Sequence, residues 1–253
     1  MTRPFVLVQL SDPHLGATWG GDGDRYELLR ETVEWARTHG PAPDAVLVTG
    51  DLADHATDDE YTRFRELVEP LGAPLHVLPG NHDDRTAMRR HFGLEGAAEE
   101  PIQAACDLGP LRLVVVDSTR PGEDAGELGA ERLAWLETTL AASPDRPTIV
   151  AMHHPPLATG FPGWDRMLFE SSDRRALAAV VEANPQVRLI VAGHVHRALA
   201  GSLAGRSVLA APSTYVQAEL GAGPKVVLTS ERPGYVLHSV ADGEIVSSVH
   251  GIA

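Results

Sequence analysis

Asp12 and His14, Asp51, Asn81, His153, and His194 with His196 are carboxylate, amide and imidazole donors of the kind that hold iron, manganese or zinc, and together they could serve two metal ions. Each of their five short segments follows a stretch of strand character: FVLVQL before Asp12, AVLVTG before Asp51, PLHVLPG before Asn81, TIVAM before His153 and RLIVAG before His194. In open α/β sheets, ligands bind in the loops beyond the carboxyl ends of strands, so these residues can converge although His196 lies 184 residues after Asp12. The lack of clustered thiolates argues against a structural zinc or an iron–sulfur cluster. Asp51, in GDLAD, is the candidate carboxylate to bridge ions about 3.5–4 Å apart, the spacing that lets two metals clamp attacking and leaving oxygens. Taken singly, each motif reads equally well as a turn or helix cap. Five such accidents supplying seven compatible donors do not.

The elements that must position these donors alternate strand and helix. Helical spacing is present over Arg25 to His39, Asp58 to Val68, Arg85 to His91, Ala130 to Ala141 and Asp173 to Ala183, with further strands at Leu111 to Val116 and Thr148 to Met152. From Arg197 onward, short strands with turns (ALAGSL, RSVLAA, PKVVLTS, GYVLHSV, EIVSSV) suggest an antiparallel second sheet. Two sheets packed face to face with helices outside would bury the nearly continuous apolar strands. Gly20 to Gly23 and Gly93 to Pro101 read as exposed loops, and Thr159 to Asp173 as a longer insertion. A single domain spanning 1–253 is expected, its part from about 197 to 253 contributing mainly antiparallel strands.

Composition narrows the function classes. A formal net charge of -14 offers no basic stripe for a nucleic-acid backbone, so no stable nucleic-acid binding is expected. No apolar run approaches the roughly 20 residues that span a bilayer. The single cysteine, Cys106, and the lack of a basic-then-apolar amino terminus make a cytoplasmic location the expectation. The carboxyl-terminal strands and the 159–173 insertion are candidate contacts for a homodimer.

The runs SDPHLG (11–16), GDLAD (50–54), PGNHDDR (79–85), MHHPP (152–156) and GHVHR (193–197) resemble, in order, the blocks of the calcineurin-like metallophosphoesterase superfamily. GNHDDR, the doubled histidine before two prolines and ERLAWLETTLA are similar to its class III cyclic nucleotide phosphodiesterase and glycerophosphodiesterase branch. The resemblance implies an α/β fold, the four-layer αββα sandwich of two mixed sheets. It also implies that Asp12, His14 and His196 bind one metal, Asn81, His153 and His194 a second, and Asp51 both. The implied activity is hydrolysis of small phosphodiesters, 3′,5′-cyclic nucleotides foremost, by in-line attack of a metal-bound hydroxide, since coordination lowers the pKa of water to about 7. Glycerophosphodiesters and 2′,3′-cyclic nucleotides are the near alternatives. A phosphomonoesterase would use the same ions, and a noncatalytic binding protein is the alternative of a different class.

His82, beside Asn81, is the candidate non-ligand histidine that stabilises the phosphoryl group or protonates the leaving alkoxide, oriented by either Asp54 or Asp83. Asn81, His82 and His154 are candidate substrate contacts, with His154 alternatively behind the ligand histidine. Trp164, Phe161, Met167 and Tyr215 could stack on a nucleobase or simply pack. Arg85 and Arg197 could bind phosphate or pair with carboxylates. One departure bears on specificity: PSTYVQ has Val216 where many members of the branch carry a histidine before the glutamine.

Overall fold

The computed structural model describes residues 3–21, 23–221 and 223–253, so Asp22, in the expected Gly20 to Gly23 loop, lies outside the described residues. The first half of the chain runs β1 (Phe5–Leu10), α1 (Arg25–His39), β2 (Ala45–Val48), α2 (Asp58–Val68), β3 (Leu75–Val77), α3 (Arg85–Phe92), β4 (Ala104–Leu108) and β5 (Leu111–Val115). The second half runs α4 (Gly129–Ala141), β6 (Thr148–Ala151), α5 (Pro162–Asp165), α6 (Ser171–Ala183), β7 (Val187–Ala192), β8 (Leu199–Leu203), β9 (Arg206–Ala210), β10 (Gln217–Glu219), β11 (Val227–Thr229), β12 (Gly234–Ala241) and β13 (Glu244–Gly251).

Strands that are apolar on both faces must be covered on both, and this requirement sets the layers. One sheet has the order β13-β12-β1-β2-β3 and the other β4-β5-β6-β7-β9-β8, while β10 and β11 form a separate ribbon. Leu7 and Leu47 from the first sheet pack with Leu113, Ile149 and Val191 from the second in the central layer. The outer face of the first sheet buries Leu29 and Val33 of α1, Tyr61 and Phe64 of α2, and Met88 of α3. The outer face of the second buries Leu136 and Leu140 of α4, and Leu177 and Val181 of α6. The result is the four-layer αββα sandwich.

Local chemistry fixes the helix starts. Asp24 caps α1, Asp84 caps α3, and Thr57 with Glu60 forms a capping box on α2, satisfying amides that the first turn leaves without partners. The 159–173 insertion contains α5 and leads into α6 at Ser171.

Of the strands after Arg197, only β10 and β11 pair apart from the two main sheets, as a short antiparallel ribbon. β8 and β9 extend the second sheet, with β9 parallel to β7, and β12 and β13 extend the first, with β12 antiparallel to β1. A turn such as Ala204–Gly205 predicts only that its two strands pair, whereas the partner on the far side is chosen by apolar burial. β12 is buried along most of its length and can sit only inside a sheet. β4, with a half-exposed pattern, carries too weak a signal to be read from sequence.

Candidate metal centre

Side chains that leave strand ends can converge only if the backbone turns immediately. Asp12, His14, Asp51, His194 and His196 adopt φ of 51, 44, 53, 69 and 48°, a left-handed conformation that costs non-glycine residues about 1–3 kcal/mol each and persists where the surroundings dictate it. Those surroundings are visible. The loop after β1 is tied to the loop after β2 by Asp12 N–H to Gly50 O (3.1 Å) and His14 N–H to Asp51 O (2.9 Å). His194 N–H donates to both Asp12 carboxylate oxygens at 3.0 Å, joining the two sheets. Two motif glycines make room: a Cβ on Gly80 would stand 2.1 Å from Asp51 Oδ1, and one on Gly193 2.0 Å from Ser11 Oγ.

The donors form two groups that meet at one atom. His14 Nε2 lies 3.0 Å from His196 Nε2, which lies 3.8 Å from Asp12 Oδ1. Opposite, Asn81 Oδ1 lies 3.1 Å from both His153 Nε2 and His194 Nδ1. Asp51 Oδ2 is 3.3 Å from His14 Nε2 and 3.3 Å from His153 Nε2, so a single carboxylate oxygen serves both groups.

The protonation of the histidines identifies what fits between them. His14 Nδ1–H donates to Asp54 Oδ1 at 3.1 Å and His196 Nδ1–H to the Val216 carbonyl at 3.0 Å, which leaves both Nε2 lone pairs facing each other. Burial holds His14 below its ordinary range and pushes His196 down to about 4, so neither carries a proton to relieve that contact. Burial likewise depresses His194, whereas His153, despite burial, is held up at about 9 by Asp51. Asp51 stays well below the usual carboxylate range because His153 and His14 outweigh its burial, while burial and the Asp51 charge raise Asp12 to about 6. Converging lone pairs around shared carboxylates fit divalent cations, which would displace the His153 proton on binding.

Comparison with known proteins accords with this donor chemistry. The family model described as calcineurin-like phosphoesterase matches residues 5–198, a span that contains every one of these donors. The chain belongs to the calcineurin-like phosphoesterase family. Within that family it is 37% identical over 223 residues to a cAMP/cGMP dual specificity phosphodiesterase of Mycobacterium tuberculosis, covering 84% of this chain and 68% of that protein. It is 32% identical over 242 residues to a probable glycerophosphodiester phosphodiesterase of Arcobacter nitrofigilis, covering 92% and 88% respectively. A dimetal phosphatase from Danio rerio shares the fold, with TM-score 0.75 at 14% identity over 100% of this chain and 98% of that one.

Around these donors, Asp54 and not Asp83 faces His82. His82 Nδ1 lies 3.1 Å from Asp54 Oδ1, and despite burial this contact and the Asp51 charge push His82 up to about 10. Asp54 in turn is held well below the usual range because hydrogen bonds from His14 and His82 overcome its burial. Asp83 instead accepts from Leu52, Ala53 and Gly80 amides and from the Tyr61 hydroxyl, which locks the loops together. A third donor to Asp54 is Trp19 Nε1–H at 3.1 Å, a residue that neither periodicity nor motif marks along the chain.

A cavity of about 260 Å³ opens onto the donors and is lined by His82, Trp19, Trp164, Arg166, Met167 and Leu228, among others. Trp164 and Met167 thus reach it. Tyr215 does not: it is buried, its ring 5.6 Å from Trp19, and its hydroxyl bonds the Trp19 carbonyl and accepts from Arg25 at 2.6 Å. Phe161 packs at the edge of the Trp164 cluster. His154, expected as a substrate contact, is fully buried with both ring nitrogens engaged: Nε2–H donates to Asp124 O at 3.1 Å and Nδ1 accepts from Ser118 Oγ at 2.9 Å. Burial pushes it down to about 3, so it is a neutral strut behind His153. Neither arginine touches the site. Arg85 makes a buried ion pair with Asp117 at 2.8 Å, and Arg197 pairs with Glu231 at 2.8 Å.

A Cβ on Gly80 would meet the Asp51 main-chain nitrogen at 2.3 Å as well as its carboxylate at 2.1 Å, so Gly80→Ala would shift Asp51 as a whole, backbone and carboxylate together. Calorimetric titration with Mn²⁺ is expected to show affinity reduced roughly 10–100-fold.

Proposed function

We propose that this protein is a dinuclear metal-dependent phosphodiesterase whose preferred substrates are 3′,5′-cyclic nucleotides. The observation that carries the reading is the pair of donor groups sharing Asp51 Oδ2, with His82 beside them on the wall of the cavity. Asp12, His14 and His196 would hold one ion, Asn81, His153 and His194 the other, and Asp51 both. When bound, such a pair would supply an acidified water as nucleophile at neutral pH and would neutralise charge on phosphoryl oxygens.

The chain's own residues supply positioning and a proton. Asp54 keeps the His82 ring oriented through Nδ1, so its Nε2–H is the proton available to the leaving alkoxide. Asn81, a donor that lines the cavity beside His82, would contact the phosphoryl group as well as a metal. The Trp19, Trp164, Met167 and Leu228 side chains offer an apolar surface to a nucleoside, and stacking on an aromatic contributes about 1–3 kcal/mol per base. Val216 does not compromise the donors, because its main-chain carbonyl, which any residue could provide, is what orients His196.

Both the cyclic nucleotide and the glycerophosphodiester relatives support diester rather than monoester chemistry. The apolar wall favours the former. Catalytic efficiencies for 3′,5′-cAMP, glycerophosphoethanolamine and p-nitrophenyl phosphate, measured on the Mn²⁺-loaded protein, test this. 3′,5′-cAMP is expected to be the best of the three. A preference for glycerophosphoethanolamine would move the substrate to the glycerophosphodiesters, and a preference for the monoester would overturn the diesterase reading. Phe or Tyr at Trp164 should preserve KM for 3′,5′-cAMP, whereas Trp164→Ala should raise it about 5–100-fold if the base rests there.

A further inference from the structure

A row of buried polar side chains crosses the sandwich and ends on Asp12. Gln9, Ser11, Asp12, Thr49 and His238 are each 0% exposed. Gln9 shares its face of β1 with Leu7, and Leu7 belongs to the apolar layer between the two sheets. The row therefore interrupts the driest part of the core.

Its hydrogen bonds run in one direction. The Gln9 amide donates from Nε2 to Thr49 Oγ1 at 3.0 Å and to the Ala192 carbonyl at 2.9 Å, so its Oε1 must accept from His238 Nε2–H, 3.0 Å away. His238 is kept neutral by burial, which pushes it down to about 4, and its bare Nδ1 accepts from Ser247 Oγ at 2.8 Å. Thr49 Oγ1 has already accepted from Gln9 and donates to Ser11 Oγ at 2.7 Å, and Ser11 Oγ–H donates to Asp12 Oδ2 at 2.5 Å. One amide proton of Gln9 and the hydroxyl protons of Thr49 and Ser11 point along the row toward Asp12, while the second Gln9 proton goes to Ala192 and the Leu10 carbonyl, 3.3 Å from Thr49 Oγ1, is a longer alternative acceptor; bonds aligned this way polarise and strengthen one another.

Stability does not account for such a row. Replacing both partners of a buried hydrogen bond by apolar groups of similar shape is close to neutral. What an apolar row could not do is hold one carboxylate oxygen in place: Asp12 sits at a left-handed φ of 51°, with Oδ2 bound by Ser11 and the His194 amide, and Oδ1 turned toward His196.

We propose that His238, Gln9, Thr49 and Ser11 form a positioning relay that fixes the Asp12 carboxylate for metal binding, so that β12, an element contributing no metal donor, helps to set the affinity of the centre. This inference rests on the reading of Asp12 as a metal ligand. Other ligand-orienting contacts in the site are shorter, such as His196 to the Val216 carbonyl or His14 to Asp54 and on to Trp19. This one passes through four side chains and touches both sheets, through β12, β1 and β2 on one side and the Ala192 carbonyl on the other.

The test uses two variants and one control. Gln9→Leu/His238→Leu replaces the middle of the row with apolar groups, and Ser11→Ala removes only the last link. For each, the melting temperature of the metal-free protein, the Mn²⁺ binding isotherm, and kcat and KM for a diester are measured. The expected result is a melting temperature near that of the wild type, affinity at one binding event reduced about 10-fold or more, and kcat lowered at subsaturating metal with KM little changed. Wild-type isotherms in both variants overturn the relay. If the double variant fails to fold, Ser11→Ala decides alone. Asp12→Ala is the control: an unchanged isotherm there removes Asp12 as a ligand and thus the underlying reading, whereas a lost binding event in Asp12→Ala beside normal binding in the relay variants removes the relay alone.

Discussion

Asp51→Ala is expected to lower kcat/KM for diester hydrolysis by roughly 10³-fold or more, the effect of removing the one group on which both donor sets depend. Asp51 Oδ2 is equidistant, at 3.3 Å, from a nitrogen of each set, and the same side chain accepts the His82 amide through Oδ1 at 2.9 Å. Deleting the carboxylate should therefore weaken both proposed metal positions together and free the backbone at His82, the proposed proton donor. Binding and rate should fall in concert, so a Mn²⁺ isotherm taken beside the kinetics ought to show both events weakened. Loss of rate with two intact binding events would mean that Asp51 is not the bridge.

His82→Ala should behave differently. It belongs to neither donor group, its side chain is about one-third exposed, and its Nδ1 is held by Asp54, so the variant should bind Mn²⁺ nearly as well as the wild type. Turnover of a diester with an alkoxide leaving group should fall about 10²–10⁴-fold, the contribution of a positioned general acid. For bis(p-nitrophenyl) phosphate the loss should be much smaller, because p-nitrophenolate departs without a proton. Equal losses on both substrates would identify His82 as a charge stabiliser of the phosphoryl group. A wild-type rate on both would remove it from the mechanism.

Much of the centre was legible because its chemistry and its positioning use the same local signals. Asp12, Asp51, Asn81, His153 and His194 each follow an apolar strand, and in a parallel strand the loop beyond the carboxyl end has only one side of the sandwich to occupy. The helices other than the short α5 were legible from spacing, and α1 and α2 also carry capping residues at their starts. What sequence did not disclose are relationships set by tertiary packing. Trp19 lies in an irregular loop and matters only because Asp54 folds beneath it. Asp54 and Asp83 flank the same histidine along the chain or in space, and only the packing of Tyr61 and the backbone amides that occupy Asp83 decides between them. Arg85 sits next to a metal motif yet turns into the core to meet Asp117. Likewise His238 and Gln9, far apart in sequence, carry no motif at all, and their pairing follows from the antiparallel placement of β12 against β1.

The association of β12 with β1, and of β9 with β7, draws four of the carboxyl-terminal strands into the two main sheets and leaves only β10 and β11 as a separate antiparallel pair, where their turns suggest one second sheet. Short turns announce hairpins, but the choice of sheet depends on which apolar face remains uncovered. The same arrangement brings the segment after β9 back to the centre, where the Ser213 hydroxyl donates to the Asp12 carbonyl at 2.7 Å and the Val216 carbonyl orients His196.

The most direct measurement is a titration of the metal-depleted protein with Mn²⁺, following bound equivalents and bis(p-nitrophenyl) phosphate hydrolysis in the same samples. The expected result is negligible hydrolysis without metal and a rate that rises to a plateau as the second equivalent per chain binds. Full hydrolysis in the presence of chelator, or a plateau reached with a single equivalent bound, would contradict a dinuclear centre built on Asp51.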